Sequence, residues 1–124
     1  MTPPAWVALI AAGAVGAPVR YLVDGFMRDR TGAAFPWGTF VVNATGSLLL
    51  GLLTGLGLYH AFPETPRLVL GTGFCGAYTT FSTFTFETVR LLEEGAINEA
   101  FRYAFATLVV CAGAAGAGVA LAAL

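Results

Sequence analysis

Charged residues are scarce in this chain of 124 residues: only 10% are charged, and all six basic residues are arginine. A soluble domain carries about one quarter charged residues, so this composition excludes an ordinary soluble monomer. With a net charge of −1 the chain lacks the basic patch that nucleic acid requires, and it has no lysine-rich run for anionic lipid headgroups. We therefore expect no nucleic-acid partner.

Cysteine and histidine are also rare. Cys75 and Cys111 both fall in apolar segments, where thiols are more often packed small residues than a disulfide or a metal pair. The single histidine, His60, lies at a loop edge, and no nucleophile, base and orienting group can be assembled around it. We predict that the protein is not an enzyme and has no catalytic residues.

Apolar residues are abundant and make up 57% of the chain. One crossing of the hydrocarbon core takes about 20 apolar residues, so four crossings with short loops use up the sequence. The pattern predicts helices at about 5–23, 37–59, 67–92 and 99–124. We expect a single all-α transmembrane domain over residues 1–124, in the cell membrane. Of the arginines near the helix ends, three lie on one side of the membrane and one on the other. This bias is too small to fix the orientation of the chain, so dual topology stays open.

Small and polar residues recur at i+4 steps along the second segment, from Thr39 through Asn43 and Ser47 to Gly51 and Gly55. Such rows let membrane helices approach closely. The amide of Asn43 needs a partner in a medium that solvates none of its hydrogen-bonding groups. Its chemistry allows either a bond to a neighbouring helix or a place on a polar pathway.

The third segment is too polar and too rich in glycine for a passive membrane span. Glycines at 71, 73 and 76, followed by Thr79 and Thr80, weaken its helix propensity at the centre, so we predict a break near residues 76–80. Backbone groups freed by a break are tolerated in a membrane only inside protein or along a cavity, and they often mark ion sites. The residues alone suit a cation or an anion equally.

Aromatic and ionisable side chains surround the predicted break. Phe81 and Phe84 are three residues apart and share a helix face, where their electropositive ring edges suit an anion; rings that face lipid are the alternative. Glu87, one turn later, and Arg20, near the end of the first segment, are candidates for a vestibule or for snorkelling to the interface. Tyr103, in the fourth segment, has the same two readings as Asn43, whereas for Thr107 the first alternative is a hydroxyl bond to its own helix one turn back and the second is a place on a pathway.

Three stretches together resemble the Fluc (CrcB) family of fluoride channels: GAVGAPVRY at 13–21, PWGTFVVNATG at 36–46 and GFCGAYTTFSTF at 73–84. The resemblance covers essentially the whole chain and implies a fluoride-selective channel that exports fluoride passively and so lowers its cytoplasmic level. It also implies an antiparallel dual-topology homodimer with two pores. The two partners implied are a second copy of the chain and the lipid bilayer.

The resemblance also assigns residues. It implies a structural Na⁺, not transported, held by the backbone carbonyls of Gly76 and Thr79. The implied pore residues are Asn43, Phe81, Phe84, Ser82, Thr83, Tyr103, Thr107 and Cys111, with Arg20 and Glu87 at the vestibule. Two positions depart from the family pattern: Ala77 stands where a second glycine is usual, and Cys111 stands where a hydroxyl is frequent.

Two other kinds of protein share this size. A small proton-coupled multidrug transporter needs a titratable carboxylate deep in the membrane, typically in the first helix, and residues 5–23 contain none. A purely structural membrane subunit explains the glycine rows. It does not explain Asn43 together with the dense cluster of Thr, Ser and Phe in the third segment.

Overall fold

The structure is a computed structural model that describes residues 1–32 and 34–124. Every regular element in this described part is helical. Three helices are long and apolar enough to cross a membrane: α1 (Pro3–Thr31), α2 (Trp37–Tyr59) and α6 (Ile97–Ala122). The chain between α2 and α6 forms α3 (Glu64–Leu68), a π-helical segment (Val69–Cys75), α4 (Gly76–Tyr78) and α5 (Ser82–Glu93). The prediction of an all-α protein with apolar helices of membrane-spanning length is confirmed.

Helix α1 continues to Thr31, although we predicted that the helix ends at about residue 23 and that a loop follows it. That prediction was wrong for a local reason. Asp24 accepts a hydrogen bond from the Arg28 guanidinium at 2.5 Å, and the two residues are one helical turn apart. An i,i+4 pair of opposite charge favours the helical conformation, so the polar residues that suggested a loop extend the helix instead.

The end of α1 is fixed by two further features. The Arg30 guanidinium lies 4.4 Å from the centroid of the Phe26 ring, again across one turn of helix. Gly32 then adopts a left-handed conformation, with φ of 54°, and its N–H bonds the Arg28 carbonyl, which ends the helix. A helix of 29 residues is about 43 Å long, more than the ~30 Å of a hydrocarbon core, so the charged end of α1 projects beyond the apolar layer.

The predicted break in the third segment is confirmed. Helix α4 ends at Tyr78, Thr79 has an extended backbone with ψ of 160°, and α5 begins at Ser82. The three elements before the break, α3, the π-helical segment and α4, follow one another without interruption over residues 64–78. The break therefore separates a first half-helix, residues 64–78, from a second half-helix, α5.

The π-helical turn within the first half-helix was not predicted, and its packing against α1 accounts for its glycines. A Cβ added at Gly73 would lie 2.7 Å from the Leu9 carbonyl oxygen, and one added at Gly16 would lie 2.5 Å from the Phe74 carbonyl oxygen. The same added Cβ at Gly16 would lie 3.3 Å from the methyl carbon of Ala77, so this methyl faces α1. The departure at Ala77 thus fills the contact between α1 and the first half-helix.

Helices α2 and α6 form the most extensive helix pair, and glycine lets their backbones touch. A Cβ added at Gly118 would lie 2.6 Å from the Leu52 nitrogen, and one at Gly51 or Gly55 would likewise meet the backbone of α6. Gly116, by contrast, faces open space. The predicted close-packing row of α2 is confirmed at Gly51 and Gly55, whereas only part of the glycine-rich end of α6 belongs to this contact.

A buried cluster joins α5 to α6 and supports the region after the break. Its buried members are Leu91, Ala100 and Tyr103, and Phe35, Phe40, Phe84 and Ala96 pack around them. At the far end of the bundle, the His60 Nε2 lies 2.7 Å from the Ala122 carbonyl oxygen and ties the end of α2 to the end of α6. The break itself lies between these two supported regions, against the middle of α2.

Candidate functional site

The break is attached to α2 by a reciprocal pair of hydrogen bonds. The Asn43 Nδ2 donates to the Thr80 carbonyl oxygen at 2.8 Å, and the Thr80 N–H donates to the Asn43 Oδ1, also at 2.8 Å. Asn43 therefore satisfies both backbone groups of the residue at the centre of the break. One of its two amide N–H groups is used in this pair, and the second is left for another acceptor.

This attachment redirects backbone donors away from two carbonyls. In a continuous α-helix the Thr80 N–H would donate to the Gly76 carbonyl, but here it donates to Asn43. The Thr83 N–H would donate to the Thr79 carbonyl, but here it donates to the Thr80 Oγ1 at 3.1 Å, which caps the start of α5. The carbonyls of Gly76 and Thr79 therefore lose their helical donors to side-chain acceptors.

A cavity of about 520 Å³ lies between α2, the break and α6. Its wall is mostly apolar, with amide, hydroxyl, thiol and backbone groups at intervals. Seven of the predicted site residues line this cavity, including Gly76 and Thr79, the two predicted carbonyl ligands. The lining residues are Asn43, Gly46, Ser47, Leu50, Gly71, Cys75, Gly76, Thr79, Thr80, Phe81, Phe84, Thr107, Leu108, Cys111 and Ala112.

The two phenylalanines after the break differ in how firmly they are held. Their ring centroids are 6.0 Å apart with the planes tilted by 44°. The Phe84 ring also packs against the Tyr103 ring, 5.2 Å away, whereas Phe81 is 77% exposed in the single chain. Phe84 is thus held from behind by α6, and Phe81 presents most of its ring to the cavity and its surroundings.

On α6, Thr107 and Cys111 face the same cavity one helical turn apart. Thr107 is only 6% exposed, and its hydroxyl has no hydrogen-bond partner among the described residues. We expected this hydroxyl either to bond its own helix or to serve a pathway, and the bond to its own helix is not formed. A buried hydroxyl without a partner is costly, and this one lies in the cavity wall with its oxygen covered, so it remains an unused hydrogen-bonding group beside the cavity.

Glu87 forms a polar cluster inside the bundle. Its Oε1 accepts hydrogen bonds from the Thr39 hydroxyl at 2.5 Å and from the Tyr103 hydroxyl at 3.3 Å. Tyr103 is completely buried, and the structure places it in this cluster, away from the walls of the cavities. From the sequence we predicted only a packing role for Thr39 and missed its bond to Glu87. Its position one turn before Asn43, on the same face of α2, was the signal that could have indicated a polar role.

Arg20 and Thr83 meet at a second, smaller cavity of about 160 Å³. Asp24 also lines it, and its participation could not be expected because we had placed it in a loop. The full lining is Ala17, Arg20, Tyr21, Asp24, Thr39, Val42, Thr80 and Thr83. Ser82 lies outside both walls; it is exposed, and its Oγ is 3.4 Å from the Thr80 Oγ1.

The break, the apolar cavity with interspersed polar groups, and the half-buried carboxylate cluster all lie within a region that known proteins share. The family model described as "CrcB-like protein, Camphor Resistance (CrcB)" matches residues 7–119. A protein of Streptomyces avermitilis named fluoride-specific ion channel FluC 1 is 50% identical over 114 residues, which are 92% of this chain and 92% of that protein.

Two further relatives carry the same name, fluoride-specific ion channel FluC 1. The protein of Frankia casuarinae is 46% identical over 94% of this chain and 95% of its own length. The protein of Leifsonia xyli subsp. xyli is 44% identical over 96% of this chain and 87% of its own length. With a family model that covers most of its residues and relatives this similar over nearly their full length, the chain belongs to the CrcB (Fluc) family.

Proposed function

We propose that this protein is a fluoride-selective ion channel through which fluoride leaves the cell passively. The observation that carries the proposal is the cavity that Asn43, Phe81, Phe84 and Thr107 line together, with the partnerless Thr107 hydroxyl buried in its wall. The relatives named fluoride-specific ion channels support the same function. The chain is a multi-pass protein of the cell membrane and a transporter, in agreement with the prediction that it is not an enzyme.

The chemistry of the cavity suits a small, strongly hydrated anion. Such an ion crosses only if the wall replaces its water with other positive groups. The second amide N–H of Asn43, the Thr107 hydroxyl and the phenylalanine ring edges can do this, because each presents a partial positive charge. No charged side chain is among the described residues that line this cavity, so the wall can release the ion as well as bind it.

The proposed vestibule role of Arg20 and Glu87 is supported by their contacts. The Arg20 guanidinium borders the smaller cavity, where a cation concentrates anions from the aqueous side. Glu87 accepts from Thr39 and Tyr103, which keeps its carboxylate turned toward these hydroxyls. We propose that Arg20 attracts the anion, and that Glu87 orients the hydroxyls of Thr39 and Tyr103 beside the pore.

The membrane arrangement is part of the proposal. The two half-helices of the third segment together form a fourth crossing, and a second, antiparallel copy of the chain completes the channel. In a single chain Gly76 is exposed at the break. Freed carbonyls at membrane depth need protein or a cavity around them. A twofold antiparallel pairing would bring the two breaks together and cover both, forming two equivalent pores.

A structural Na⁺ between the two copies fits the residues present. Carbonyl oxygens are suitable ligands for a hard cation, and the Gly76 and Thr79 carbonyls are the ones whose helical donors are redirected. Two copies would supply four such oxygens. When bound, the cation would supply a positive charge that balances the partial negative charges of these carbonyl oxygens.

The first test is fluoride efflux from proteoliposomes loaded with fluoride or with chloride. We expect rapid loss of fluoride without loss of chloride. Phe81→Ile removes the electropositive ring edge while keeping an apolar side chain, and we expect it to slow fluoride efflux by about tenfold or more, a change of ~1.4 kcal/mol in the barrier. Phe86→Ile is the matched control, because Phe86 is exposed on α5, which begins directly after Phe81, and does not line the cavity.

If Phe81→Ile and Phe86→Ile slow fluoride efflux equally, Phe81 does not lie on the fluoride path. No fluoride efflux from folded wild-type protein would contradict the channel itself. Proton-driven uptake of a cationic drug under the same conditions would then favour a multidrug transporter.

Removal of Na⁺ tests the dimer and its cation together. In detergent, we expect replacement of Na⁺ by N-methylglucamine to lower the melting temperature and to increase the fraction of monomer, because four carbonyls lose their common ligand. Size-exclusion chromatography with light scattering measures the second effect. An unchanged melting temperature and an unchanged dimer fraction would argue against a structural Na⁺.

A further inference from the structure

We propose that Tyr78 and Thr45 form a positioning pair for the cation site, a pair that holds the end of the first half-helix and with it the carbonyls of Gly76 and Thr79. The inference rests on the proposed structural Na⁺. Neither residue lines the cavities, so their contribution would act through the backbone of the break. Tyr78 is the last residue of α4 and stands directly before Thr79.

The pair is joined by a partly buried hydrogen bond between a buried tyrosine and an exposed threonine. The Tyr78 hydroxyl lies 2.8 Å from the Thr45 Oγ1. The Thr45 hydroxyl donates its own proton to the Val41 carbonyl at 2.7 Å, so in this bond the tyrosine donates and the threonine accepts. Tyr78 is only 7% exposed, and its ring is stacked on the Phe74 ring at 5.6 Å with the planes 14° apart. The side chain is therefore fixed at both its ring and its hydroxyl.

The backbone next to Tyr78 is also held against α2. A Cβ added at Gly46 would overlap the Thr79 Cγ2 and lie 3.3 Å from the Tyr78 ring. Glycine at this position lets the end of the first half-helix approach the α2 backbone. The Thr79 hydroxyl donates to the Cys75 carbonyl at 2.8 Å. The Thr79 side chain therefore does not hold its own carbonyl, and the orientation of that carbonyl depends on the neighbouring residues.

Two attachments to α2 therefore lie on either side of Thr79. Before it, Tyr78 bonds Thr45; after it, the Thr80 backbone bonds Asn43. The Thr79 carbonyl and the Thr80 N–H that bonds Asn43 belong to the same peptide group, and the Gly76 carbonyl is less than one turn earlier. Ligand groups must be held to within roughly 0.5 Å of the binding geometry, and supporting hydrogen bonds provide this. Loss of the Tyr78 attachment would let one end of the ligand-bearing segment move.

The experiment compares Tyr78→Phe and Thr45→Val with the wild type across a range of Na⁺ concentrations. N-methylglucamine replaces Na⁺ at constant ionic strength, and the readout is the melting temperature of the detergent-solubilised protein, from which the Na⁺ midpoint, the concentration that half-fills the site, is fitted. We expect this midpoint to rise about fivefold in each variant, the effect of one hydrogen bond. At saturating Na⁺, fluoride efflux should approach the wild-type rate because the pore wall is unchanged, whereas the melting temperature should lie below the wild-type value by a constant amount, because stabilisation by a bound ion grows as the logarithm of its concentration over its dissociation constant.

Three controls separate positioning from general support. Thr45→Ser keeps the accepting oxygen and should keep the wild-type Na⁺ midpoint. The double variant Tyr78→Phe, Thr45→Val should be no worse than either single variant, because the same bond is lost once. Tyr59→Phe removes a hydroxyl from an exposed tyrosine at the end of α2 and should have no effect.

An unchanged Na⁺ midpoint in Tyr78→Phe would overturn the inference, and so would an equal fall in melting temperature at every Na⁺ concentration, which is the result of a merely structural role. The wild-type titration distinguishes this failure from failure of the cation site. If the wild-type melting temperature does not depend on Na⁺, the proposed Na⁺ site is wrong and the positioning role is overturned with it.

Discussion

Asn43→Asp is expected to reduce fluoride efflux by about a hundredfold or more, equivalent to ~2.7 kcal/mol in the barrier. Aspartate has nearly the same shape, and its carboxylate can still accept the Thr80 N–H. It cannot donate to the Thr80 carbonyl, which then faces a negatively charged acceptor at the distance of the former hydrogen bond, 2.8 Å. The same substitution removes the second amide N–H and places negative charge on the proposed anion path.

Asn98→Asp is the matched control, since it introduces the same charge at an exposed position near the start of α6. Stopped-flow or electrode-detected efflux from proteoliposomes measures both variants. A folded Asn43→Asp protein with wild-type efflux would show that the amide is dispensable for permeation. Folding can be checked by comparing the elution volume and helical content with those of the wild type.

Asn43 also shows how far sequence reasoning reaches. A polar amide in an apolar helix predicted either a bond to another helix or a place on a pathway, and the sequence could not decide between them. In the structure the side chain both bonds the Thr80 backbone and lines the cavity. The two alternatives are compatible because an amide has two N–H groups, and only one of them is used by the break.

The break could be predicted because its signal is local: glycines and β-branched residues lie next to one another in an apolar segment. The π-helical turn before the break has no such signal, since it depends on the approach of α1 to Gly73 and on the face that Gly16 presents. The bond between Tyr78 and Thr45 likewise joins residues 33 positions apart. These features arise from packing between segments, which a single sequence does not specify.

The length of α1 shows the opposite error, in which a local signal was misread. Asp24, Arg28 and Asp29 suggested a loop because charged residues are common between membrane helices. At i,i+4 spacing the first two stabilise the helix that they were expected to end. As a result Asp24 faces inward to the smaller cavity, beside Arg20, and the predicted vestibule gains an acidic residue.

Gly118→Ala is expected to destabilise the protein by about 1–3 kcal/mol and to lower its melting temperature, the cost of inserting one methyl into a packed contact. The added Cβ would overlap the Leu48 carbonyl oxygen and lie 2.6 Å from the Leu52 nitrogen. Both are backbone atoms of α2, so no side chain can move aside to relieve the contact. Helices α2 and α6 would have to separate, and the cavity between them, which contains Asn43 and Thr107, would change shape.

Gly116→Ala is the matched control: the substitution and the helix are the same, but an added Cβ meets nothing within 4 Å in the single chain. Because alanine has the higher helix propensity, we expect Gly116→Ala to be neutral or slightly stabilising. Thermal unfolding in detergent measures both variants. Equal stability of Gly118→Ala and Gly116→Ala would contradict the backbone contact between α2 and α6. A marked loss in Gly116→Ala that accompanies dissociation into monomers would instead indicate that the open face of α6 packs against the second copy of the chain.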